Sequence, residues 1–113
     1  MQVDRESALS RVGGDLELLQ EIARLFLEDE ANMLKAIETA AAGGDSKVLE
    51  RAAHTLKGCV SNFGAAHAYE ASLQLEKLGR AGEFAPVPDG LARLRTALDE
   101  LRPELQALAS ESL

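Results

Sequence analysis

Asp45 to Phe63, DSKVLERAAHTLKGCVSNF, is the stretch that decides the fold. Its apolar residues Leu49, Ala52, Ala53, Leu56, Val60 and Phe63 recur at three- and four-residue steps, the period of an α-helix with one buried face. At about 100° per residue, the apolar set centres about 160–200° away from His54, whereas Lys47, Glu50, Arg51, Lys57, Gly58 and Ser61 fall within about 60° of it. The segment is therefore predicted to be an amphipathic helix that directs His54 at solvent. Gly58 costs such a helix about 1 kcal/mol relative to alanine, and no helix end accounts for it. Helical side chains lean toward the N-terminus, so glycine at 58 keeps the ground beside His54 open. Lys57, on the same solvated face, brings a flexible ammonium able to neutralise oxygens on a group attached to the imidazole. An exposed nucleophile, clearance for a bulky anion and a countercharge describe a face that can carry phosphoryl chemistry.

Glycine pairs and prolines mark off the neighbouring helices. A short segment from Asp4 to Val12 ends at Gly13-Gly14, and Asp15 then caps a long helix. Leu19, Ile22, Phe26, Met33 and Ile37 keep one apolar stripe along it through Ala42, with a bend expected at Glu28-Asp29-Glu30. Gly43-Gly44 ends that helix and Asp45 caps the histidine helix. After Gly64 a further helix runs to about Ala81 with Ala68, Ala71, Leu75 and Leu78 inside. Gly82 to Pro88 reads as a loop. From Asp89 the last helix carries Leu91, Leu94, Leu98, Leu101, Leu105 and Leu108 at alternating steps of three and four, with a kink or restart expected near Leu101 because of Pro103. The fold class expected is all-α, an antiparallel four-helix bundle with a short additional N-terminal helix, forming one domain over 1–113 with its core at about 5–108 and fraying at 110–113.

The run His54-Thr55-Leu56-Lys57-Gly58, followed by Asn62-Phe63-Gly64-Ala65, resembles the signature of histidine phosphotransfer (HPt) domains, the phosphocarriers of multistep two-component relays. Asp15-Leu16, Leu25-Phe26-Leu27, Gly44-Asp45 and Leu75-Glu76 extend the resemblance over about residues 5 to 108. It implies that His54 accepts a phosphoryl group on Nε2, that Lys57 contacts the phosphoryl oxygens, that Gly58 provides clearance and that Gly64 allows the turn into the next helix. It also implies that Glu76 accepts a hydrogen bond from the imidazole Nδ1–H; on spacing alone Glu76 reads as a charge on a solvated helix face. The partners implied are response-regulator receiver domains, which would bring the metal ion, with a sensor histidine kinase as the source of phosphoryl groups or as a fused neighbour. The phosphotransfer domain of chemotaxis kinases uses a similar helix and stays open as an alternative.

Composition bounds the remaining possibilities. The 113 residues suffice for one core, and 46% hydrophobic but only 4% aromatic residues, with no tryptophan, favour helix packing over sheets. A net charge of −7 argues against nucleic acid or an anionic membrane as partner. Lys47, Arg51 and Lys57 nevertheless make a basic island around His54 which, with Ser61, would suit a receiver whose own active site is acidic. The single cysteine, Cys59, rules out an internal disulfide and a two-cysteine metal clamp. No apolar run approaches the roughly 20 residues of a membrane span and no signal peptide is evident, so a cytoplasmic protein without direct membrane contact is expected; a monomer is expected as well.

No cofactor or resident metal is expected. Glu50 with His54 and His67 with Glu70 are one-turn pairs, but the repeated Glu-x-x-His of di-iron bundles is missing. No phosphate-binding glycine loop followed by Lys and Ser/Thr occurs, so the chain is not expected to use ATP. His67 lacks a neighbouring lysine and glycine and reads as a surface residue. A non-catalytic adaptor that binds receivers is the remaining competitor.

Overall fold

Three aspartates start the first three helices of the computed structural model, which describes residues 2–111. Asp4, Asp15 and Asp45 each hold an extended backbone and accept a hydrogen bond from the amide three residues on, from Ser7, Leu18 and Val48. Each satisfies an amide that a helix N-terminus otherwise leaves without a partner. The helices are α1 (Arg5–Arg11), α2 (Leu16–Ala42), α3 (Ser46–Ser61), α4 (Ala66–Ala81) and α5 (Val87–Ala109), with no strand among the described residues. Helix α2 packs on α3, α3 on α4, α4 on α5 and α5 on α2, with α1 resting against α2.

The apolar stripes meet as their periodicity requires. Leu19 and Ile37 of α2, Leu49, Leu56 and Val60 of α3, Leu75 of α4, and Leu94, Leu98, Leu101 and Leu105 of α5 are all buried. Burial of each such side chain contributes about 1.5–3 kcal/mol. Phe26 meets Phe63 edge to face, ring centres 5.8 Å apart, and joins α2 to the end of α3.

Helix α4 begins without a capping side chain of its own. Gln2 supplies the missing acceptor: its Oε1 takes the Ala68 amide at 2.7 Å while its Nε2 donates to the Ala97 carbonyl at 3.0 Å. Gln2 is buried, which is tolerable because both ends of its amide are satisfied. The Glu104 carboxylate in turn holds the backbone amides of Gln2 and Val3. Between α3 and α4, Gly64 turns the chain at φ +61°, and a Cβ there would fall 2.6 Å from that of Asp4.

Three local expectations are corrected. Helix α5 starts at Val87 rather than Asp89, since Pro86 and Pro88 lie at its cap and first turn, where a missing N–H breaks no helical bond. It continues through Pro103 without a restart, because the buried stripe of Leu98, Leu101, Leu105 and Leu108 holds both sides of the proline on one face. Helix α2 runs unbroken through Glu28-Asp29-Glu30, and Glu30 is buried, not solvated. Its two oxygens meet Arg102 Nη2 at 2.6 Å and Nε at 3.1 Å. Beyond α5, Ser110 stands at the C-cap, Glu111 pairs with Arg5, and the Glu111 carbonyl accepts from Gln20 at 2.9 Å. Residues 112 and 113 lie outside the described residues.

Candidate functional site

Helices α3 and α4 place His54 and Glu76 against each other. The apolar face of α3 turns Ala53 and Leu56 inward and leaves the His54 side chain 65% exposed. On α4, Leu75 points into the core and Glu76, one step round, is buried at the edge of α3. Its Oε2 lies 3.0 Å from His54 Nδ1. Burial pushes the Glu76 carboxyl upward, but Lys57 and His54 beside it prevail and hold it below the usual carboxylate range. An ionised carboxylate has no proton to donate, so Nδ1 carries the hydrogen and donates it. The lone pair of the neutral ring is then on Nε2, on the opposite edge from Glu76.

Glu76 is also the meeting point of the local cations. Lys57 Nζ stands 2.8 Å from Oε1, at an angle outside hydrogen-bond geometry, so the two pair by charge. Arg80 Nη2 shares Oε2 at 3.1 Å while its Nε donates to Glu50 Oε2 at 2.7 Å. Two expectations change here. Glu76 is not a solvated helix charge, and Lys57 is not fully solvated: its side chain is only 18% exposed and its ammonium lies 6.0 Å from the centre of the Tyr69 ring. The side chain folds back across the α3–α4 seam because the buried carboxylate draws it there.

The surroundings of His54 divide into two flanks. Lys47 and Arg51 line a hollow of about 450 Å³ together with Glu50, His54, Glu76 and Arg80. On the other flank Lys57, Gly58 and Ser61 line a hollow of about 490 Å³ with Arg11 and Tyr69. Ser61 donates its hydroxyl to the Gly58 carbonyl at 2.7 Å. Gly58 is exposed, and a Cβ added there meets nothing within 4 Å. Cys59 is half-buried, and burial pushes its thiol upward. His67 is exposed, its Nδ1 3.6 Å from Glu100, on a separate groove between α4 and α5.

Arg80, Tyr69 and Arg11 escape a reading of the sequence around His54. Arg80 had a signal, since it stands four residues after Glu76 and so on the same helical face. Tyr69 and Arg11 had none, because only the packing of α4 on α3 and of α1 on α2 brings them to one hollow beside Lys57. Among the described residues no group of three His, Cys, Asp or Glu is placed to hold a metal ion, and no helix is long and apolar enough to cross a membrane.

This arrangement, a helical histidine oriented by a carboxylate from the next helix, coincides with a family match: the model of the Hpt domain fits residues 21–104. The chain belongs to the Hpt family, whose members are phosphocarriers that perform histidine phosphotransfer in phosphorelays and interact with response-regulator receivers. Its fold is similar to the crystal structure of histidine-containing phosphotransfer protein B (HptB) from Pseudomonas aeruginosa PAO1, with a TM-score of 0.89 and 21% identity over 99% of this chain and 97% of that one. At that identity the likeness speaks for the fold. No curated protein matches the chain in sequence.

Proposed function

We propose that His54 is the phosphoacceptor of a relay carrier that takes its phosphoryl group from a receiver aspartyl phosphate and passes it to a second receiver. The observation that carries this reading is the 3.0 Å contact of Nδ1 with Glu76 on an otherwise exposed ring, which leaves Nε2 free to attack. In the forward step the Nε2 lone pair forms the N–P bond and the acyl P–O bond breaks, releasing the receiver aspartate as a carboxylate. The ring keeps its Nδ1 hydrogen and becomes cationic, and the Glu76 carboxylate offsets that charge. Phosphoryl transfer relies on positioning and charge neutralisation more than on covalent chemistry in the carrier. Lys57 supplies neutralisation to the phosphoryl oxygens, and Gly58 leaves them room.

The receiver docks over this face, with Lys47 and Arg51 on one flank and Ser61 on the other set against its acidic active site. The helices α2 to α5, packed in a closed ring, act as an antiparallel four-helix bundle that holds the face rigid. The chain needs no ATP site in this role, because the energy of the phosphoryl bond arrives with the receiver.

The test is incubation with a phosphorylated receiver, followed by acid and base treatment and peptide mapping. Acid-labile phosphate on His54, absent from a His54→Gln variant, is the expected result. Acid-labile phosphate persisting in that variant, on His67 for instance, would overturn the assignment.

A further inference from the structure

The contact between His54 and Glu76 depends on how closely α4 approaches α3, and one turn away the two backbones come close together. Gly79 is buried on α4, and a Cβ built on it would fall 2.6 Å from the backbone nitrogen of Glu50, 3.0 Å from its Cα and 3.1 Å from the Ser46 carbonyl oxygen. All three are backbone atoms of α3, so no side-chain rotation can relieve the overlap. Its φ is not in the left-handed region, so conformational freedom does not explain the glycine. A helix-interior glycine costs about 1 kcal/mol against alanine. Close approach of the two backbones is what it provides.

Glu50 and His54 are one turn apart on α3, and Gly79 and Glu76 are nearly one turn apart on α4. The helices run past each other so that 50 faces 79 and 54 faces 76. A displacement of α4 at Gly79 is therefore carried to Glu76. The Glu76 side chain already spans its gap to give the 3.0 Å contact, so a wider separation of the helices lengthens that contact directly.

We propose that Gly79 is a positioning residue for phosphotransfer: the absence of its side chain sets the α3–α4 separation that lets Glu76 fix the hydrogen on Nδ1 of His54. This rests on His54 being the phosphoacceptor, but its first readout does not. Free imidazole side chains favour the hydrogen on Nε2, so an oriented ring shows itself as the opposite tautomer in ¹⁵N NMR at alkaline pH, with no receiver present.

The experiment compares the wild type with Gly79→Ala, Ala68→Gly and Glu50→Ala. Wild-type His54 should show the Nδ1–H form. Gly79→Ala should shift the ring toward Nε2–H and slow phosphotransfer at least about tenfold, since a misplacement of about 1 Å can cost about 100-fold. Ala68→Gly weakens the same helix nearer its start and should lower the melting temperature while leaving the tautomer unchanged. Glu50→Ala removes the ion pair to Arg80 but not the backbone contact, and should also keep the Nδ1–H form. A folded Gly79→Ala that retains the Nδ1–H form overturns the proposal. If Gly79→Ala does not fold, Glu50→Ala decides: retention of Nδ1–H supports positioning by the backbone approach, and its loss shows that the ion pair does the positioning. A normal tautomer with no phosphate on His54 would count against the phosphoacceptor reading and not against the origin of the ring's orientation.

Discussion

Lys57 Nζ rests 2.8 Å from Oε1 of Glu76, so the lysine beside the histidine is already committed to a buried carboxylate before any phosphoryl group is present. Glu76 Oε2 is occupied by His54 and Arg80, and Oε1 has only this charge contact. A phosphoryl group on Nε2 would compete with Glu76 for the ammonium. Lys57 thus has a part in the resting fold, and under the proposed function it acts in transfer as well.

Lys57→Ala should consequently destabilise the protein, although a lysine on a fully solvated face would not. Removing one partner of a buried pair costs about 3–5 kcal/mol, and the surviving His54 and Arg80 contacts reduce this to about 1–2 kcal/mol. Urea denaturation measures it. Transfer from a phosphorylated receiver should slow in the same variant at saturating receiver, while weaker receiver binding with an unchanged saturated rate would reassign Lys57 to docking.

Glu76 makes stability depend on acid. Its folded-state pKa lies below the unfolded value, so the ionised form stabilises the fold fully above the ordinary carboxylate range of about 4.3, and that contribution is lost as pH falls through the depressed folded value. The stability difference between wild type and Glu76→Gln should move in favour of the glutamine variant on acidification below about pH 4. Denaturation midpoints of both proteins across this range check the sign. A difference independent of pH down to about pH 2 would show that Glu76 is not held ionised by its neighbours.

Gly58 should separate stability from activity. Since an added Cβ meets nothing within 4 Å, Gly58→Ala is expected to gain about 1 kcal/mol of helix propensity, or about 4 °C in Tm. Gly58→Leu should also fold, yet its side chain leans toward His54 and should slow phosphotransfer. Normal transfer by the leucine variant would refute the clearance role.

Away from the site, Arg102→Ala should strand the buried Glu30 carboxylate and cost about 2–4 kcal/mol. Replacing both residues with leucine should recover most of the loss, because the desolvation penalty disappears with the charges. Melting curves of the single and double variants distinguish this from a general loss of α2–α5 packing, which the double variant would not repair.

The helices were legible because their causes are local. Asp15 and Asp45 cap where they stand in the chain, the Leu and Ala stripes repeat at the helical period, and the His54–Lys57–Gly58 spacing places three groups on one face without reference to any other helix. A proline or an acidic run misleads when weighed by local propensity alone. Pro103 breaks one hydrogen bond, but the leucines on either side are held by burial, and Glu30 sits inside because Arg102, 72 residues away, meets it there.

From sequence alone, then, come the all-helical class, three of the four long helices to within a residue or two, and the solvent-facing histidine with its open neighbour at 58. The tertiary structure decided what the charges around that histidine do. Glu76 lies 22 residues from His54, and only the packing of α4 on α3 makes it a buried acceptor on Nδ1. The same packing draws Lys57 out of solvent and brings Arg80 to Glu50, while contacts with α5 hold Gln2 at the start of α4. Capping and periodicity depend on neighbours along the chain, whereas burial and ion pairing depend on neighbours across it. Those become definite only when the helices are in contact.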